Sequence, residues 1–278
     1  MSAGVRLSIR PSADKSAAVA TALFAAGAEA LQEADGALLT NVATDDAAGT
    51  LIAAALAVDP AAQAESTASP NIDWSVAWRA QMRAHTVGLL TVSPPWLAAP
   101  FLPERTIVIE PAMAFGTGDH PTTRGVLKLM QDVIRPGDLV ADLGAGSAVL
   151  AIGAAKLGAT RVAAIENDHD AIGNATENVH ANGVTTQVQI LEGDANLFLP
   201  LVAPVRVVLA NIVSAVIKDL LPVIADSLAK DGVAIFSGML VTERDAMFDA
   251  FSKAGWAMGA EYTEGEWWTC VVTRERAA

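Results

Sequence analysis

The sequence is poor in residues that form covalent or metal cross-links. Of its 278 residues only one is a cysteine, Cys270, and four are histidines. A single thiol cannot form an internal disulfide, and no cysteine and histidine residues have the spacing of a structural zinc site. We therefore predict no metal, a reducing cytoplasmic location and stabilisation by a hydrophobic core, for which 52% apolar residues suffice.

Basic residues are also scarce. The chain has 18 Lys and Arg against 31 Asp and Glu, a formal net charge of −13. Such a charge repels a phosphate backbone, so we expect no direct nucleic-acid binding, whereas a basic protein would be attracted. The same charge is also explained by solubility alone.

Long apolar runs are missing as well. The longest stretch without Asp, Glu, Lys or Arg, residues 84–103, is interrupted by four prolines. Near the N-terminus, Arg6 and Arg10 are not followed by an apolar region. We accordingly expect no membrane span and no signal peptide.

Residues 1–67 have the pattern of a small α+β domain. The predicted order is strand 5–9, helix 14–26, strands 30–33 and 37–42, helix 47–58 and strand 63–67. Asp35-Gly36 is typical of a tight hairpin turn. This order predicts a ferredoxin-like domain, and its lack of catalytic residue clusters indicates a role in recognition or packing.

Residues 68–104 are predicted to be a linker. They contain five of the 13 prolines, and half of the six tryptophans, namely Trp74, Trp78 and Trp96. Two interpretations stay open for these rings. They pack the linker against the larger domain, which we favour, or they form an aromatic patch that binds substrate.

Residues 105–278 are predicted to form an α/β domain. From residue 138 onward, five continuous apolar strands alternate with helices, which indicates a parallel sheet covered on both faces. The strands are predicted at 139–143, 161–165, 187–191, 205–210 and 232–236, and the helices at 148–157, 168–182, 214–229 and 242–254. Two final strands, 256–262 and 267–273, have no helix between them and must form an antiparallel hairpin.

A glycine turn follows the first of these strands. Gly144 and Gly146 let the backbone approach a ligand closely, and Asp142 precedes them. A dinucleotide fingerprint requires a third glycine where Val149 stands, so an oxidoreductase is disfavoured. Ala148 supplies the small residue of a methyltransferase-type turn. The alternative is a tight turn with a purely structural role.

Three later strands also end in polar residues. Glu166 is placed to accept hydrogen bonds from ribose hydroxyls, and Asp194 to reach the exocyclic amine of an adenine. Asn211 follows the fourth strand. Since open α/β sheets bind ligands at the carboxyl ends of their strands, we expect these residues to meet Gly144 at one site.

Upstream lies a loop that runs from Phe115 into a helix. Pro121 suits the first turn of that helix, and the loop could close over a bound cofactor. His120 is interpreted as a residue that hydrogen-bonds the helix start.

At these residues the chain resembles the PrmA-type methyltransferases of ribosomal protein L11. The similar stretches are the linker segment 74–96, then 114–123, 142–158, 174–183, 210–212, 236–240 and 266–268. The resemblance implies a Rossmann-like seven-stranded methyltransferase domain that uses S-adenosyl-L-methionine. It places Asp119, Ala145 and Ala148 where the family favours threonine, cysteine and glycine.

The resemblance also implies roles for individual residues. Family cofactor contacts fall on Thr123, Gly144, Glu166 and Asn211, although aspartate is usual at the position of Glu166. With the positions derived above, the expected cofactor-binding residues are Phe115, Thr123, Gly144, Gly146, Glu166, Asp194 and Asn211. Asn211 is in addition the expected catalytic residue, because its side-chain oxygen can orient the lone pair of an attacking amine.

The implied activity is methylation of lysine ε-amino or N-terminal α-amino groups of a large-subunit ribosomal protein. The N-terminal domain would recognise that basic protein, and we expect the enzyme to be a monomer. An alternative is a methyltransferase of the same fold that acts on another protein or a small amine. A ribosome-associated binding module that has lost activity is a further alternative.

Overall fold

The computed structural model describes residues 4–68, Arg79, 82–112 and 115–275. The chain divides into two compact units, residues 1–82 and 83–278. The predictions made for Trp74 and Trp78, and the match at Ala114, lie outside the described residues.

The described part of the first unit contains four strands and two helices. In chain order they are β1 (Val5–Arg10), α1 (Ser16–Ala25), β2 (Gln32–Ala34), β3 (Ala37–Val42), α2 (Asp45–Val58) and β4 (Gln63–Ala68). The sheet has the order β2-β3-β1-β4 with every pair antiparallel. This is the topology of a ferredoxin-like domain, so the prediction is confirmed.

Alternation along β1 sets the core of this unit. Leu7 and Ile9 are fully buried and pack with Leu23 of α1 and Leu51 of α2. Arg6, Ser8 and Arg10 point to the opposite face, because successive side chains of a strand alternate. The β2–β3 hairpin turns at Asp35-Gly36, both of which have the positive φ angles, 52° and 74°, of a type I′ turn.

The second unit begins with a small sheet that the sequence did not reveal. Its strands are β5 (His85–Val87), β6 (Leu90–Ser93) and β7 (Thr106–Val108). β5 pairs antiparallel with β6, and β6 pairs parallel with β7. The segment predicted as a linker, 68–104, therefore contains regular structure from residue 85 onward. Trp96 lies there in a short 3-10 helix, Pro95–Leu97, and is 38% exposed.

A seven-stranded sheet dominates the second unit. Its strands are β8 (Leu139–Leu143), β9 (Arg161–Glu166), β10 (Val188–Glu192), β11 (Val205–Asn211), β12 (Leu228–Leu240), β13 (Trp256–Glu264) and β14 (Trp267–Arg274). The order is β10-β9-β8-β11-β12-β14-β13. The first five strands in this order run parallel, and β14 is antiparallel to both of its neighbours. The predicted mixed sheet with its C-terminal hairpin is thus confirmed.

Helices cover both faces of this sheet. They are α3 (Pro121–Val133), α4 (Val149–Lys156), α5 (His169–Ala181), α6 (Ala195–Val202), α7 (Ser214–Ser227) and α8 (Arg244–Lys253). Along β8, Val140 belongs to the core shared with α3, α4 and α5, and Ala141 to the core shared with α6, α7 and α8. Because both sides of each central strand are buried, the strands read as continuous apolar runs.

Two differences from the predicted elements have local causes. Helix α6 was not predicted, since its eight residues include Pro200 and its apolar content resembles that of a strand. Helix α7 ends at Ser227, two residues before the predicted end, because β12 already begins at Leu228.

Among the described residues, no helix has both the length and the apolar character needed to span a membrane.

Candidate active site

The glycine turn lies where the order of the large sheet reverses. β8 is flanked by β9 on one side and β11 on the other, and ligands bind at such switch points in open α/β sheets. Gly144 and Gly146 have φ angles of 69° and 52°. A Cβ on Gly144 would lie 2.6 Å from Cγ2 of Ile212, and one on Gly146 would lie 2.6 Å from the Phe115 carbonyl oxygen. Both positions therefore require glycine.

Ala148 completes the turn as the N-cap of α4. Its φ of 64° lies in the left-handed region, and its side chain is fully buried. Glycine adopts this backbone conformation without strain, whereas a residue with a Cβ adopts it at a cost of about 1–2 kcal/mol.

Glu166 closes the glycine turn from the neighbouring strand. Its Oε2 accepts a hydrogen bond from the Gly146 N–H at 2.8 Å, and its Oε1 accepts one from the Asp168 N–H at 2.8 Å. The side chain is 7% exposed. A carboxylate has about four acceptor positions, so two stay available for a ligand.

The loop before α3 is fastened to the same turn. The Ser147 N–H donates to the Phe115 carbonyl at 2.9 Å, and the Ser147 hydroxyl donates to the Gly116 carbonyl at 2.8 Å. Gly116 has a φ of 107°, and a Cβ there would lie 2.7 Å from the Ser147 hydroxyl oxygen. Phe115 is thereby placed beside Gly146, and the residue is 54% exposed.

Two asparagines, one in the last turn of α5 and one at its C-cap, hold the segment that leads into this loop. Asn182 pairs with both backbone groups of Val108, accepting from its N–H at 2.8 Å and donating to its carbonyl at 2.6 Å. Asn178 accepts from the Glu110 N–H at 2.9 Å and donates to the Ser147 carbonyl at 3.0 Å. Four residues apart on one helix face, these amides act as partners for an extended strand.

The start of α3 meets the end of β11. The Asn211 amide donates to the Thr123 hydroxyl at 3.4 Å, and Thr123 is fully buried. At the preceding residue, the Ser237 hydroxyl of β12 donates to the Thr122 carbonyl at 3.1 Å and lies 2.7 Å from the Thr269 hydroxyl. Buried polar groups thus fix the helix start against the sheet, and Asn211 with it.

His120 occupies the N-cap of α3. Its Nδ1 accepts from the Thr122 N–H at 3.4 Å and lies 2.7 Å from the Thr122 hydroxyl. The interpretation of His120 as a residue that hydrogen-bonds the helix start is confirmed. Its ring also contacts Phe115 and Trp267 edge to face, with centroid separations of 5.3 and 4.8 Å.

Asp119 lies among charged groups. Its Oδ1 is 3.0 Å from His85 Nε2 and 3.9 Å from an Arg124 nitrogen, and its carbonyl accepts from Arg124. Arg124 also binds Glu264 at 2.6 Å, which lowers the pKa of that carboxyl below its usual range. The Asp119 side chain is nevertheless 75% exposed at the loop.

Asp142 carries a buried carboxyl directly beneath the turn. Its Oδ2 accepts from the Ala151 N–H at 3.0 Å, whereas its Oδ1 has no hydrogen-bond partner in the described protein. Burial, with a smaller contribution from the charge of Glu166, raises its pKa to about 7. The hydrogen bond from the Ala151 N–H favours the ionised carboxylate and so opposes part of this rise in pKa.

A cleft of about 530 Å³ opens at this edge of the sheet. Gly144, Asp194 and Ile212 line it, together with Val213, the N-cap of α7, and Val216 in its first turn. Asp194 caps α6 by accepting from the Asn196 N–H at 2.8 Å, and it is exposed to the cleft. Clefts of about 300–1,000 Å³ with few polar groups are typical of cofactor sites.

The residues predicted to bind a cofactor thus fall into three neighbouring groups. Gly144 and Asp194 line the cleft, whereas Glu166 and Asn211 are outside its lining. Phe115, Gly146 and Glu166 meet at the glycine turn, and Thr123 meets Asn211.

The sequence did not single out Asn178 or Ser147, since neither has a local signal and both act through partners distant in sequence. No group of three His, Cys, Asp or Glu in the described part of the chain could hold a metal.

This sheet order, with a glycine turn at the switch point and an antiparallel final hairpin, defines the class I methyltransferase fold. The family model for ribosomal protein L11 methyltransferase (PrmA) matches residues 7–275. The chain belongs to this family.

Individual relatives agree with this assignment. The ribosomal protein L11 methyltransferase of Symbiobacterium thermophilum is 36% identical over 208 residues, covering 72% of this chain and 65% of that protein. The protein of the same name from Pelotomaculum thermopropionicum is 37% identical over 219 residues, covering 78% and 70%. The chain therefore aligns with about two thirds of the length of these relatives.

One solved structure is similar over the whole of its own chain. It is the ribosomal protein L11 methylase from Lactobacillus delbrueckii subsp. bulgaricus, with a TM-score of 0.62 and 26% sequence identity. The similarity covers 70% of this chain and 100% of that one.

Proposed function

We propose that this chain is an S-adenosyl-L-methionine-dependent methyltransferase that modifies lysine ε-amino or N-terminal α-amino groups of a large-subunit ribosomal protein. The observation that carries the proposal is the assembly of the glycine turn, Glu166, Asp194 and Asn211 at the loop edge of one parallel sheet. Membership of the L11 methyltransferase family supports both the reaction and the class of substrate.

The site fits the proposed cofactor. The turn leaves no room for a Cβ at Gly144 or Gly146, so backbone can approach an amino-acid moiety closely. Two acceptor positions of Glu166 are available for ribose hydroxyls, and Asp194 lies in the same cleft as Gly144, where an adenine amine would be accepted. The cofactor supplies an activated methyl group and carries its own leaving group.

The work of the protein is then to position the acceptor amine. Direct displacement at the methyl carbon needs a neutral amine, aligned with the bond that breaks. Asn211 is held by Thr123, and its side-chain oxygen accepts a hydrogen bond from the amine and so orients the lone pair. A site shielded from water lowers the pKa of a lysine amine, which favours the neutral form.

The partner is proposed to be a basic protein, recognised by the ferredoxin-like domain. A net charge of −13 favours a basic protein partner over direct binding to nucleic acid. The enzyme is proposed to act as a monomer in the cytoplasm.

The test is a transfer assay with radiolabelled cofactor, the full chain and total ribosomal proteins from cells that lack the gene. We expect label in one large-subunit protein, and mass spectrometry should find the added methyl groups on amines. Asn211→Ala should lower turnover at saturating cofactor by about 100-fold. Gln189→Ala, which removes an exposed amide on β10, is the matched control and should retain wild-type turnover.

Two results would contradict the proposal. Label that appears only in small amines or in non-ribosomal proteins would refute the substrate class. Full turnover by Asn211→Ala would refute the role of Asn211 while leaving the reaction intact.

A further inference from the structure

A second groove, of about 520 Å³, lies at the amino ends of strands in the seven-stranded sheet. The proposed cofactor cleft lies at the carboxyl ends of the strands, and the two have no lining residue in common. No residue role assigned above therefore explains this groove, whose volume is typical of a small-molecule site. We call it the basal groove and define it by five floor residues and one rim residue, which are Leu139, Arg161, Ala163, Gln187 and Gln189, with Leu201 at the rim.

The floor residues share one face of the sheet. Each is adjacent in sequence to a residue of the core under α3, α4 and α5, namely Val140, Val162 or Val188. Since successive side chains of a strand alternate, the floor residues point to the opposite face. Leu139 pairs in register with Arg161, and Gln189 pairs with Ala163. Side chains from three neighbouring strands thus form one continuous floor.

The floor is open because α6, the helix beside it, is short. The eight residues of α6 span about 12 Å, whereas the six residues of β9 span about 20 Å. Arg161 and Gln189 are exposed, and Leu139 is 37% exposed. At the end of α6, Leu201 is 77% exposed. Two leucines therefore present apolar surface to a groove that also has polar groups in its floor.

The polar groups of the floor favour an anion. Arg161 is the only charged residue among the described residues that line the groove, and it forms no ion pair with any of them. Asp138, whose carbonyl meets the Arg161 N–H, already binds Arg206 at 2.6 Å. The Gln187 amide oxygen accepts from the Thr186 hydroxyl at 2.8 Å, which leaves the amide nitrogen to donate to a ligand. The groove thus offers a cation and amide donors without a competing carboxylate.

We propose that the basal groove binds a small carboxylate with an apolar tail. The planar guanidinium of Arg161 binds a carboxylate through two parallel hydrogen bonds, and the neighbouring amide of Gln187 donates a further one. The tail packs against Leu139 and Leu201 and removes their exposed apolar surface from water. An anion without a tail leaves both leucines exposed and binds more weakly. The site does not depend on the proposed function, because its ligand is neither the cofactor nor the acceptor.

The first experiment titrates the isotope-labelled full-length protein with octanoate and follows its amide resonances by NMR. We expect the largest shifts at the residues of the basal groove. Octan-1-ol, which lacks the charge, and acetate, which lacks the tail, are the ligand controls. Each should bind at least about 3-fold more weakly than octanoate.

The second experiment repeats the titrations with four variants at exposed positions. Arg161→Gln should weaken octanoate binding by roughly 3- to 10-fold and leave octan-1-ol binding unchanged. Arg105→Gln, in the short 3-10 helix Pro103–Arg105 outside the groove, is its matched control. Leu201→Ser should weaken the binding of both ligands by roughly 3- to 10-fold, because both lose an apolar contact. Leu197→Ser is its matched control, since Leu197 lies one helical turn away, is 68% exposed and does not line the groove.

Several outcomes would overturn the basal groove as a carboxylate site. They are octan-1-ol that binds as tightly as octanoate, equal losses in Arg161→Gln and Arg105→Gln, and equal losses in Leu201→Ser and Leu197→Ser. Dimerisation in analytical ultracentrifugation that Leu201→Ser abolishes would show that a second copy of the chain occupies the groove, and so would also overturn it. Thermal unfolding of each variant verifies that it is folded. Because no titration contains cofactor or ribosomal protein, these results are independent of the test of the proposed function.

Discussion

Replacement of Gly146 and of Gly173 by alanine should change the free energy of unfolding in opposite directions. At Gly146 the φ of 52° is left-handed, which costs a residue with a Cβ about 1–2 kcal/mol. The new Cβ would also lie 2.6 Å from the Phe115 carbonyl oxygen, a backbone atom that is hydrogen-bonded to Ser147. Loss of that hydrogen bond costs about 1 kcal/mol more. We expect Gly146→Ala to lower the free energy of unfolding by about 2–3 kcal/mol.

Gly173 is the matched control in the same unit. It lies within α5, is exposed, and a Cβ there would meet no heavy atom within 4 Å. Because alanine is the better helix former, Gly173→Ala should raise the free energy of unfolding by about 1 kcal/mol.

Differential scanning calorimetry can separate these cases. For a unit of this size, 1 kcal/mol moves Tm by about 2–4 °C. We expect Tm to fall by about 4–12 °C in Gly146→Ala and to rise by about 2–4 °C in Gly173→Ala. Calorimetric titration should show weaker cofactor binding only for Gly146→Ala. If both variants gain stability, the close approach of the turn to Phe115 is not a constraint, and the reasoning is refuted.

Three further predictions concern buried polar groups. Asp142→Asn should be more stable than the wild type at pH 8 and lose that advantage as pH falls to 5. The reason is that the pKa of the buried carboxyl is raised to about 7 in the folded protein. Between the lower pKa of the unfolded chain and this value, a rise in pH therefore destabilises the wild-type fold. Urea unfolding across this range is the measurement, and parallel pH profiles would contradict it. Asn178→Leu should lower the free energy of unfolding, measured with urea, by about 2–4 kcal/mol, since it leaves the Glu110 N–H and the Ser147 carbonyl without partners. A decrease below about 1 kcal/mol would show that other groups replace these hydrogen bonds. Cys270 is fully buried, which raises the pKa of its thiol, so a thiol reagent should modify it only in denaturant; rapid labelling of the native protein would refute its burial.

Much of the fold was predictable because its signals are local. The turn at Asp35-Gly36, the apolar runs of β8 and β11 and the glycine turn after β8 each occupy a few consecutive residues. The residues that follow the strands could be assigned to one sheet edge, since parallel strands all end there. The small sheet of β5, β6 and β7 lacked such signals, because its strands have three or four residues and two short 3-10 helices separate β6 from β7.

The candidate site shows the same division. Gly144, Gly146, Glu166 and Asn211 were predicted from spacing, and their site roles stay predictions. The attachment of Glu166 to Gly146 was not predictable, since a carboxylate at the end of a strand has several possible partners. The tertiary packing determines that Glu166 binds the Gly146 N–H.

The sequence by itself determined the order of helices and strands in each of the two predicted domains. It also determined the glycine turn and the polar residues that follow the strands. Propensity, periodicity and turn chemistry act between near neighbours, so they can be inferred from short stretches of sequence. Only the tertiary structure decided that Asn178 joins Glu110 to Ser147, and that Phe115, His120 and Trp267 meet in one corner. Those contacts join residues that are far apart in the chain. Their geometry depends on how helices and strands pack, and no short stretch of sequence contains that information.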